Sequence, residues 1–403
     1  MRVLLLTNGI APEQLGGLQR YVRELATSLA RAGVDVSVLT RQRDPEDPRR
    51  EIDRHGVEIM RFRTPAKSRV LYAAGYPVAT FTAVWRTVRA RAPGWVLHSH
   101  FTLHGMALAS LRRPFLHTFH APVYREIASE RQGSYRLPGA AERALIAAAR
   151  RGETLMLSRA ARIITLSEFM RDEVSALSGR AASRTQVVPG GVDTAHFAPG
   201  RGIVHPATTD ADPLLFCARR LVPRTGVLEL VRAMPRIAHM RPAVRLVVAG
   251  AGALEGDVRR EIQHLALQHH VHLLGRVSDE DLVRWYRSAD LVVLPTQELE
   301  GFGLATAEAL ASGTPVLGTP AGATPELLTG LDPGLVAAGV TPDAIADAVI
   351  ALTSDRTRLL ALASHARGRV HPAMSWPHIV QRHLEVYEAL AHGEGPALTS
   401  RRR

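Results

Sequence analysis

The residues best suited to chemistry lie in one stretch, residues 298–322, which reads "ELEGFGLATAEALASGTPVLGTPAG". Glu300 and Glu308 stand on either side of a Gly-Phe-Gly turn that leads into an alanine-rich helical pattern. Bare N–H groups at a helix start form a site for a phosphate, and glycine lets the ligand approach closely. An ionised carboxylate instead accepts two hydrogen bonds from a vicinal diol. Acids on both sides of an anion site therefore predict a ligand with phosphate between two sugars, such as a sugar nucleotide.

Histidines form a second group of chemically capable residues, and they follow apolar runs in the first half of the chain. His120 stands within "HTFHAP" at a predicted strand end, where a position facing a ligand favours a functional role over a structural one. His98 and His100 alternate along another predicted strand and therefore share one face, which two zinc ligands could use. No carboxylate or cysteine accompanies them, so we expect no metal site and no cofactor.

These residues need a scaffold, and the chain offers two runs in which strand-like and helical patterns alternate. Such alternation predicts parallel sheets with crossover helices, and open parallel sheets bind ligands beyond the carboxyl ends of their strands. A segment without periodicity, residues 197–213, separates the two runs. We therefore predict an α/β protein with two doubly wound Rossmann-like domains facing each other across a cleft. The predicted parts are domains at 1–198 and 199–375, a helix at 376–392 and a mobile tail at 393–403.

Composition and charge narrow the classes of ligand and the location to expect for this protein. The 403 residues carry a formal charge of +12, almost wholly from arginine, and are 5% aromatic. This charge favours anionic ligands, but no aromatic-studded basic stripe indicates nucleic acid. No apolar run of about 18 residues appears, so we expect a cytoplasmic protein without a membrane span. A basic and aromatic segment, residues 61–95, leaves open either peripheral contact with the inner face of the membrane or an ordinary solvated helix.

Several motifs together carry a resemblance to a known family. The chain contains, in this order, "GGLQRYVRELA", "HTFHAP", "VVPGGVDTAHFAP", "RRLVPRTGVLELVRA", "LVVAGAG" and "EGFGLATAEALASGTPVLGT". The spacing of Glu300 and Glu308 is similar to the E-x7-E signature of family 4 glycosyltransferases, and the resemblance covers nearly the whole chain. It implies a bacterial enzyme of the GT-B fold that transfers a hexose-type sugar from a nucleotide sugar to an acceptor hydroxyl. It also implies retention of anomeric configuration, with no metal requirement. The resemblance assigns the acceptor to the first domain, the nucleotide sugar to the second, and a return to the first domain to the helix at 376–392.

The resemblance assigns roles to individual residues. Glu300 would hold hydroxyls of the donor sugar, His120 would lie beside the anomeric centre, and Arg220 would neutralise the diphosphate. Glu308 would hold the ribose diol, and the backbone near Arg276 and Val277 would contact the base. The remaining implied donor contacts come from the two glycine-containing turns, namely Gly16, Gly17, Gly301, Phe302, Gly303 and Leu304.

One position departs from the family. A lysine usually precedes Gly226, and Thr225 stands there in this chain. A threonine cannot neutralise a departing diphosphate, and the loss of a charge-assisted contact costs the transition state on the order of a few kcal/mol. Arg224 or Arg219 could supply the missing charge. The alternatives left open are weaker catalysis or a different leaving group.

Two competing functions share this architecture. One is a sugar-nucleotide epimerase, against which the E-x7-E arrangement argues. The other is a catalytically impaired protein that binds a nucleotide sugar without turnover. The sequence leaves open the donor base and sugar, the oligomeric state and the acceptor, for which a cyclitol, a natural-product intermediate, a lipid and a glycan all remain candidates.

Overall fold

A computed structural model describes residues 1–13, 16–65, 69–91, 94–127, 139–203, 205 and 208–392, without the side chains of residues 69–74. Within this part the chain forms two compact units. The first unit joins residues 1–127 and 139–191 to residues 376–392, and the second spans 192–375. The predicted tail, residues 393–403, lies outside the described residues.

The first unit is built on a sheet whose strands run in the order β3-β4-β2-β1-β5-β6-β7-β8. All neighbouring strands are parallel except the edge pair β3 and β4, which is antiparallel. The strands are β1 Arg2–Leu6, β2 Asp35–Arg41, β3 Arg50–Ile52, β4 Glu58–Phe62, β5 Trp95–Ser99, β6 Leu116–Phe119, β7 Arg162–Thr165 and β8 Thr185–Val187. The apolar runs of the sequence predicted each of these strands except β3.

The second unit contains a wholly parallel sheet in the order β11-β10-β9-β12-β13. Its strands are β9 Leu214–Ala218, β10 Arg245–Ala249, β11 Val271–Gly275, β12 Leu291–Leu294 and β13 Val316–Gly318. β9, β10 and β12 are almost wholly buried, as expected for strands covered on both faces. The predicted pair of doubly wound α/β domains is confirmed.

Helices connect the strands in both units. Those of the first unit are Gly17–Arg31, Arg69–Ala90, Thr102–Ser110, Gly139–Arg159, Glu168–Leu177, Gly179–Ala182 and Trp376–Ala391. Those of the second unit are Val227–Met240, Glu255–His264, Asp279–Ser288, Leu304–Ala311, Thr324–Leu328, Pro342–Ser354 and Arg356–Ala366. No helix in the described part of the chain is long and apolar enough to span a bilayer.

The helix Trp376–Ala391 follows the second unit in sequence but packs in the first. It lies against the helix Gly17–Arg31 through buried side chains that include Tyr387 and His383. Tyr21 of the other helix has its ring centroid 5.4 Å from that of Trp376. The apolar face of the last helix is therefore part of the core of the first unit.

The boundary between the units lies earlier than the sequence suggested. Residues 192–198 belong to the second unit, whereas the prediction began that domain at residue 199. Arg287 donates to the carbonyl oxygen of Ala198 at 2.6 Å, and Arg367 donates to that of Thr194 at 2.9 Å. Phe197 is buried. Distant arginines donate to carbonyl oxygens of this stretch and Asp193 accepts from its amides, so the stretch forms neither a helix nor a strand and shows no periodicity.

Candidate active site

The chemically capable residues of the second unit gather where β9 and β12 end. These neighbouring parallel strands mark the point at which the strand order reverses, because β10 and β11 extend from one side of β9 and β12 and β13 from the other. In open α/β sheets, ligands bind in the crevice at this position. Arg219 directly follows β9, and Thr296 and Glu300 follow β12.

A nearly buried ion pair joins the two loops. Arg219 Nη2 lies 2.7 Å from Glu300 Oε2, and the same nitrogen donates to Thr296 Oγ1 at 2.7 Å. The two charged side chains are only 13% and 15% exposed. Burial lowers the pKa of the Arg219 guanidinium, but the charge of Glu300 and the hydrogen bond to it outweigh burial and raise that pKa overall. Arg219 therefore stays a cation and fixes one oxygen of Glu300.

The backbone around Glu300 is held in an unusual conformation. Leu299 has a φ of 56°, in the left-handed region that non-glycine residues seldom adopt. The carbonyl oxygen of Glu300 accepts a hydrogen bond from the amide of Ala323 at 2.9 Å. Gly322 has a φ of 62°, and a Cβ there would lie 2.3 Å from that carbonyl oxygen. Glycine at position 322 therefore permits the close approach that fixes Glu300.

The second acid lies one turn into the helix Leu304–Ala311. Gly303 caps this helix with a φ of 91°, and no side chain caps its first amides. Glu308 is 6% exposed, and the buried Tyr286 hydroxyl donates to its Oε2 at 3.4 Å. Thr306, in the first turn, is fully buried, and its hydroxyl has no hydrogen-bond partner among the described residues. The helix start thus offers uncapped amides and an unsatisfied hydroxyl beside a carboxylate.

The turn that departs from the family pattern directs its threonine inward. Thr225 ends the turn Pro223–Thr225, and its hydroxyl donates to the carbonyl oxygens of Arg220 at 2.6 Å and Val222 at 2.7 Å. Its single proton is therefore engaged within the loop. Arg224 donates to the carbonyl oxygen of Leu299 at 3.4 Å, next to Glu300. Arg220 is exposed.

The residues expected to contact the base lie after another strand of the same sheet. Arg276 and Val277 directly follow β11, with Arg276 exposed and Val277 half-buried. Gly301 and Leu304 are half-buried, and Phe302 is 5% exposed. All the residues expected to bind the nucleotide sugar, apart from Gly16, Gly17 and His120, therefore lie in the second unit.

In the first unit, Gly16 and Gly17 form the start of the helix Gly17–Arg31 that follows β1. Gly16 precedes the helix in an extended conformation, and its carbonyl oxygen accepts from the amide of Arg20 at 3.0 Å. A Cβ at Gly16 would lie 2.3 Å from Gln19 Oε1. The helix start thus has room only for glycine unless the Gln19 side chain moves.

His120 is half-buried and lies against a group of buried aromatic and histidine side chains. His120 Nε2 lies 3.2 Å from His100 Nδ1, and its ring stands edge-on to that of Tyr21 with centroids 5.1 Å apart. Burial, aided by the nearby His383, lowers the pKa of His120 to about 3. With no anion beside it, His120 is therefore uncharged at neutral pH and can donate or accept a hydrogen bond.

The neighbouring histidines serve the core of the first unit. His98 is fully buried and bonds Tyr387 Oη at 2.8 Å and Thr118 Oγ1 at 2.7 Å. His383 Nδ1 lies 2.9 Å from the carbonyl oxygen of Ile379, so Nδ1 carries the proton and Nε2 accepts from the Tyr21 hydroxyl at 3.1 Å. Among the described residues, no group of three or more histidine, cysteine or acidic side chains could hold a metal ion.

Comparison with known proteins agrees with this geometry. Residues 15–196 match the family described as Glycosyltransferase Family 4, and residues 205–369 match Glycosyl transferases group 1. The chain is 30% identical over 399 residues to D-inositol 3-phosphate glycosyltransferase from Xylanimonas cellulosilytica, with 92% of this chain and 91% of that protein covered. A GDP-mannose-dependent monoacylated alpha-(1-6)-phosphatidylinositol monomannoside mannosyltransferase from Corynebacterium glutamicum is 31% identical, covering 50% of this chain and 55% of that protein.

A solved structure extends the similarity to the fold. Sucrose-phosphate synthase from Thermosynechococcus elongatus superposes with a TM-score of 0.80 at 24% identity, covering 98% of this chain and 100% of that one. The fold and the acid pair around a helix start define a retaining glycosyltransferase of the GT-B class. The chain belongs to glycosyltransferase family 4. The epimerase alternative finds no support in these comparisons.

Sequence reasoning missed several residues of the second-unit site. Thr296 and Tyr286 each bond a charged site residue, and Thr306 has its unsatisfied hydroxyl in the first turn of the helix. Thr296 lies two residues after β12, so its position near a strand end was the available signal. Tyr286 offered none, because it lies in a helix, where the pattern indicates only an apolar face.

Proposed function

We propose that this enzyme transfers a hexose-type sugar from a nucleotide sugar to a hydroxyl of an inositol phosphate, without a metal ion. The observation that carries the donor half is the arrangement at the ends of β9 and β12. A paired Glu300, a nearly buried Glu308 and uncapped helix amides stand together there. Carboxylates accept hydrogen bonds from diols and uncapped amides donate to a diphosphate, so the site has groups that can bind both sugars and the phosphates of the donor.

In this proposal Glu308 accepts from the ribose diol and Glu300 accepts from hydroxyls of the transferred sugar. The amides of Phe302, Gly303 and Leu304 contact the diphosphate at the helix start. Arg219 occupies one oxygen of Glu300, so the other oxygen remains for the sugar. Gly301 lets the ligand approach, and the backbone at Arg276 and Val277 contacts the base. Contact of Gly16 and Gly17 with the phosphates, which the family resemblance implies, stays a prediction.

The proposed site also needs a positive charge in place of the lysine that the family has before Gly226. The Thr225 hydroxyl is engaged with two carbonyl oxygens, so it cannot donate to a phosphate as well. Arg219 fits better, because it is held at the carboxyl end of β9 and its Nε has no hydrogen-bond partner among the described residues. Arg224 reaches the carbonyl of Leu299. We assign Arg219 as the main replacement, with Arg220 and Arg224 adding charge.

Chemistry then proceeds by departure of the diphosphate. The bond from the anomeric carbon to the phosphate oxygen breaks, and the arginines and helix amides stabilise the departing oxyanion. The acceptor hydroxyl forms the new bond on the same face of the sugar, and its proton passes to the leaving phosphate. The neutral His120 donates a hydrogen bond to the sugar or the phosphate. No side chain serves as a covalent nucleophile.

The acceptor class rests on the relatives. The Xylanimonas relative, matched over nearly its full length, is named for D-inositol 3-phosphate, and the Corynebacterium relative is named for a phosphatidylinositol monomannoside. Both names contain inositol and a phosphate. An inositol bearing phosphate is therefore the acceptor to test first, ahead of other cyclitols, lipids and glycans.

Peripheral membrane contact is a separate proposal about location. The helix Arg69–Ala90 exposes Val78 at 66% and Trp85 at 41%, and the Arg89 guanidinium lies over the Trp85 ring at 4.6 Å. An apolar surface with adjacent cations suits an anionic lipid surface. Part of the basic segment, residues 66–68 and 92–93, lies outside the described residues. Co-sedimentation with phosphatidylserine vesicles but not with phosphatidylcholine vesicles would support it, and equal recovery from both would refute it.

Donor titration tests the proposed function. Isothermal calorimetry with UDP-, GDP-, ADP- and dTDP-hexoses should give binding to one donor base. The variant E308Q should weaken that binding roughly 10- to 100-fold, because charged hydrogen bonds contribute about 1.5–3 kcal/mol. The exposed Glu255 provides the matched control, and E255Q should bind as the wild type does.

Product analysis tests the second half of the reaction. The donor that binds should give an α-linked product from an α-linked sugar nucleotide when inositol 3-phosphate is present, and little product with inositol alone. Binding without turnover for any acceptor would instead support the catalytically impaired alternative. The proposal fails outright if no nucleotide sugar binds at millimolar concentration.

A further inference from the structure

A fully buried glutamate outside the donor site holds the two loops that carry His100 and His120. Glu153 lies in the helix Gly139–Arg159 and has no exposed surface. Its Oε1 accepts from the amide of Val123 at 2.9 Å and from the hydroxyl of Thr102 at 3.1 Å. Its Oε2 accepts from the amide of Tyr124 at 3.4 Å. One carboxylate therefore binds two chain segments that are adjacent to different strands.

These segments are the ones that place the histidine pair. Val123 lies three residues after His120, at the start of a helical segment that follows β6. Thr102 lies two residues after His100, at the start of the helix that follows β5. His100 Nδ1 and His120 Nε2 are 3.2 Å apart. Any movement of either loop would change that distance and the direction of the His120 ring.

Close helix packing keeps the carboxylate at this depth. A Cβ at Gly105 would lie 2.9 Å from Met156 Cγ, and one at Gly152 would lie 3.1 Å from Met106 Cε. The two glycines thus let the helix Gly139–Arg159 approach the helix Thr102–Ser110. A carboxylate buried this way costs free energy that an apolar side chain would not, and three hydrogen-bond donors only partly offset that cost. A role beyond packing explains why an acid stands here.

We propose that Glu153 is a positioning residue for His120, which it orients by binding the amides of Val123 and Tyr124 and the hydroxyl of Thr102. The proposal rests on the proposed function insofar as His120 contacts the donor sugar. Glu153 does not touch the reactants. It acts through the loop, so its removal should lower the rate of the chemical step and leave donor binding by the second unit nearly unchanged.

Hydrogen–deuterium exchange of the full chain tests the loop directly. In E153Q the Oε1 of glutamine still accepts from Val123, but its NH2 group cannot accept from the Tyr124 N–H, so exchange at residue 124 should rise at least tenfold. E142Q, in the same helix, is the control and should leave exchange unchanged. T102V removes only the hydroxyl contact and should give a smaller increase at residues 101–104. Exchange in E153Q equal to that of wild type would overturn the proposal.

A double-variant comparison separates positioning from general damage to the fold. Misplacing a reacting group by about 1 Å can cost about 100-fold, so E153Q should lower kcat by at least tenfold while the KM for the donor changes less than threefold. In an H120A background the same substitution should change kcat less than twofold, because the group it positions is gone. An equal loss in both backgrounds would contradict the proposal. If no donor is turned over, the proposed function fails, and the exchange measurement still decides the role of Glu153.

Discussion

Replacing Arg219 by methionine should reveal how much the ion pair at the ends of β9 and β12 contributes. Both side chains are about one-seventh exposed, and Arg219 Nη2 lies 2.7 Å from both Glu300 Oε2 and Thr296 Oγ1. Removing one partner of a buried pair costs about 3–5 kcal/mol, chiefly because the other charge is left uncompensated. Residual exposure places R219M near the lower end, at a loss of about 3 kcal/mol in the free energy of unfolding of the second unit.

The double variant R219M/E300Q shows whether an uncompensated charge is the cause. Without the carboxylate no charge is left buried, so the double variant should be at least about 1 kcal/mol more stable than R219M alone. Native-state hydrogen exchange of the β9 and β12 amides in urea measures this unit without interference from the first. R259M is the matched control, because Arg259 pairs with Glu255 at 2.8 Å on an exposed surface, where such pairs contribute about 0–1 kcal/mol.

Donor binding by R219M tests whether Arg219 also contributes to function. If Arg219 replaces the missing lysine, R219M should weaken donor binding roughly 10- to 100-fold, which corresponds to a charge-assisted contact of about 1.5–3 kcal/mol. A stability within about 0.5 kcal/mol of wild type, together with an unchanged dissociation constant, would refute the reasoning. The pair would then be a solvated surface contact, and the diphosphate would depend on Arg220 and Arg224 alone.

Two further predictions concern the backbone and the buried acid. G322A should lower stability by about 1–2 kcal/mol and weaken donor binding, because its Cβ would lie 2.3 Å from the Glu300 carbonyl oxygen at a φ of 62°. The control G368A should do neither, because a Cβ there would have nothing within 4 Å. Calorimetry measures both the stability and the donor binding. Burial raises the pKa of Glu153 from 4.5 to about 7, so in this range the folded state binds more protons and stability falls as pH rises. One pKa unit corresponds to about 1.4 kcal/mol. The free energy of unfolding of wild type, measured by urea titration, should therefore fall by about 3 kcal/mol relative to that of E153Q between about pH 4.5 and pH 8. A difference in stability that stays constant over this range would show that Glu153 does not titrate there.

Much of the fold could be read from the sequence, because buried parallel strands appear as short apolar runs. The exception is β3, Arg50–Ile52, which contains one apolar residue and pairs antiparallel at the edge of the sheet. An edge strand needs few apolar side chains, so its sequence looks like a loop. The boundary between the two units was predicted at the wrong residue for a related reason. Residues 194–198 depend on Arg287 and Arg367, which lie far away in the sequence.

The donor loop was predictable to the level of residue type but not of side-chain direction. The spacing of Glu300 and Glu308 around the turn indicated a ligand with diols and a phosphate. Nothing in the pattern could show that Arg219 turns toward Glu300, because the residue after a strand has no periodic partner. The histidines of the first unit show the same limit. His98 bonds Tyr387, which is 289 residues away, so its structural role depends on tertiary contacts.

The pairing of Arg219 with Glu300 also resolves a conflict between the two halves of the proposed donor site. A free carboxylate about 4 Å from a phosphate would oppose binding by about 4 kcal/mol at an effective dielectric constant near 20. With Arg219 at 2.7 Å, Glu300 carries a compensated charge, yet it keeps the second oxygen for a hydroxyl. Three arginines follow β9 and three glutamates, Glu298, Glu300 and Glu308, follow β12, so the formal charges of the donor loops balance. In the proposed donor site a diphosphate can therefore bind beside acids that contact sugars, with Arg219 in the place of the missing lysine.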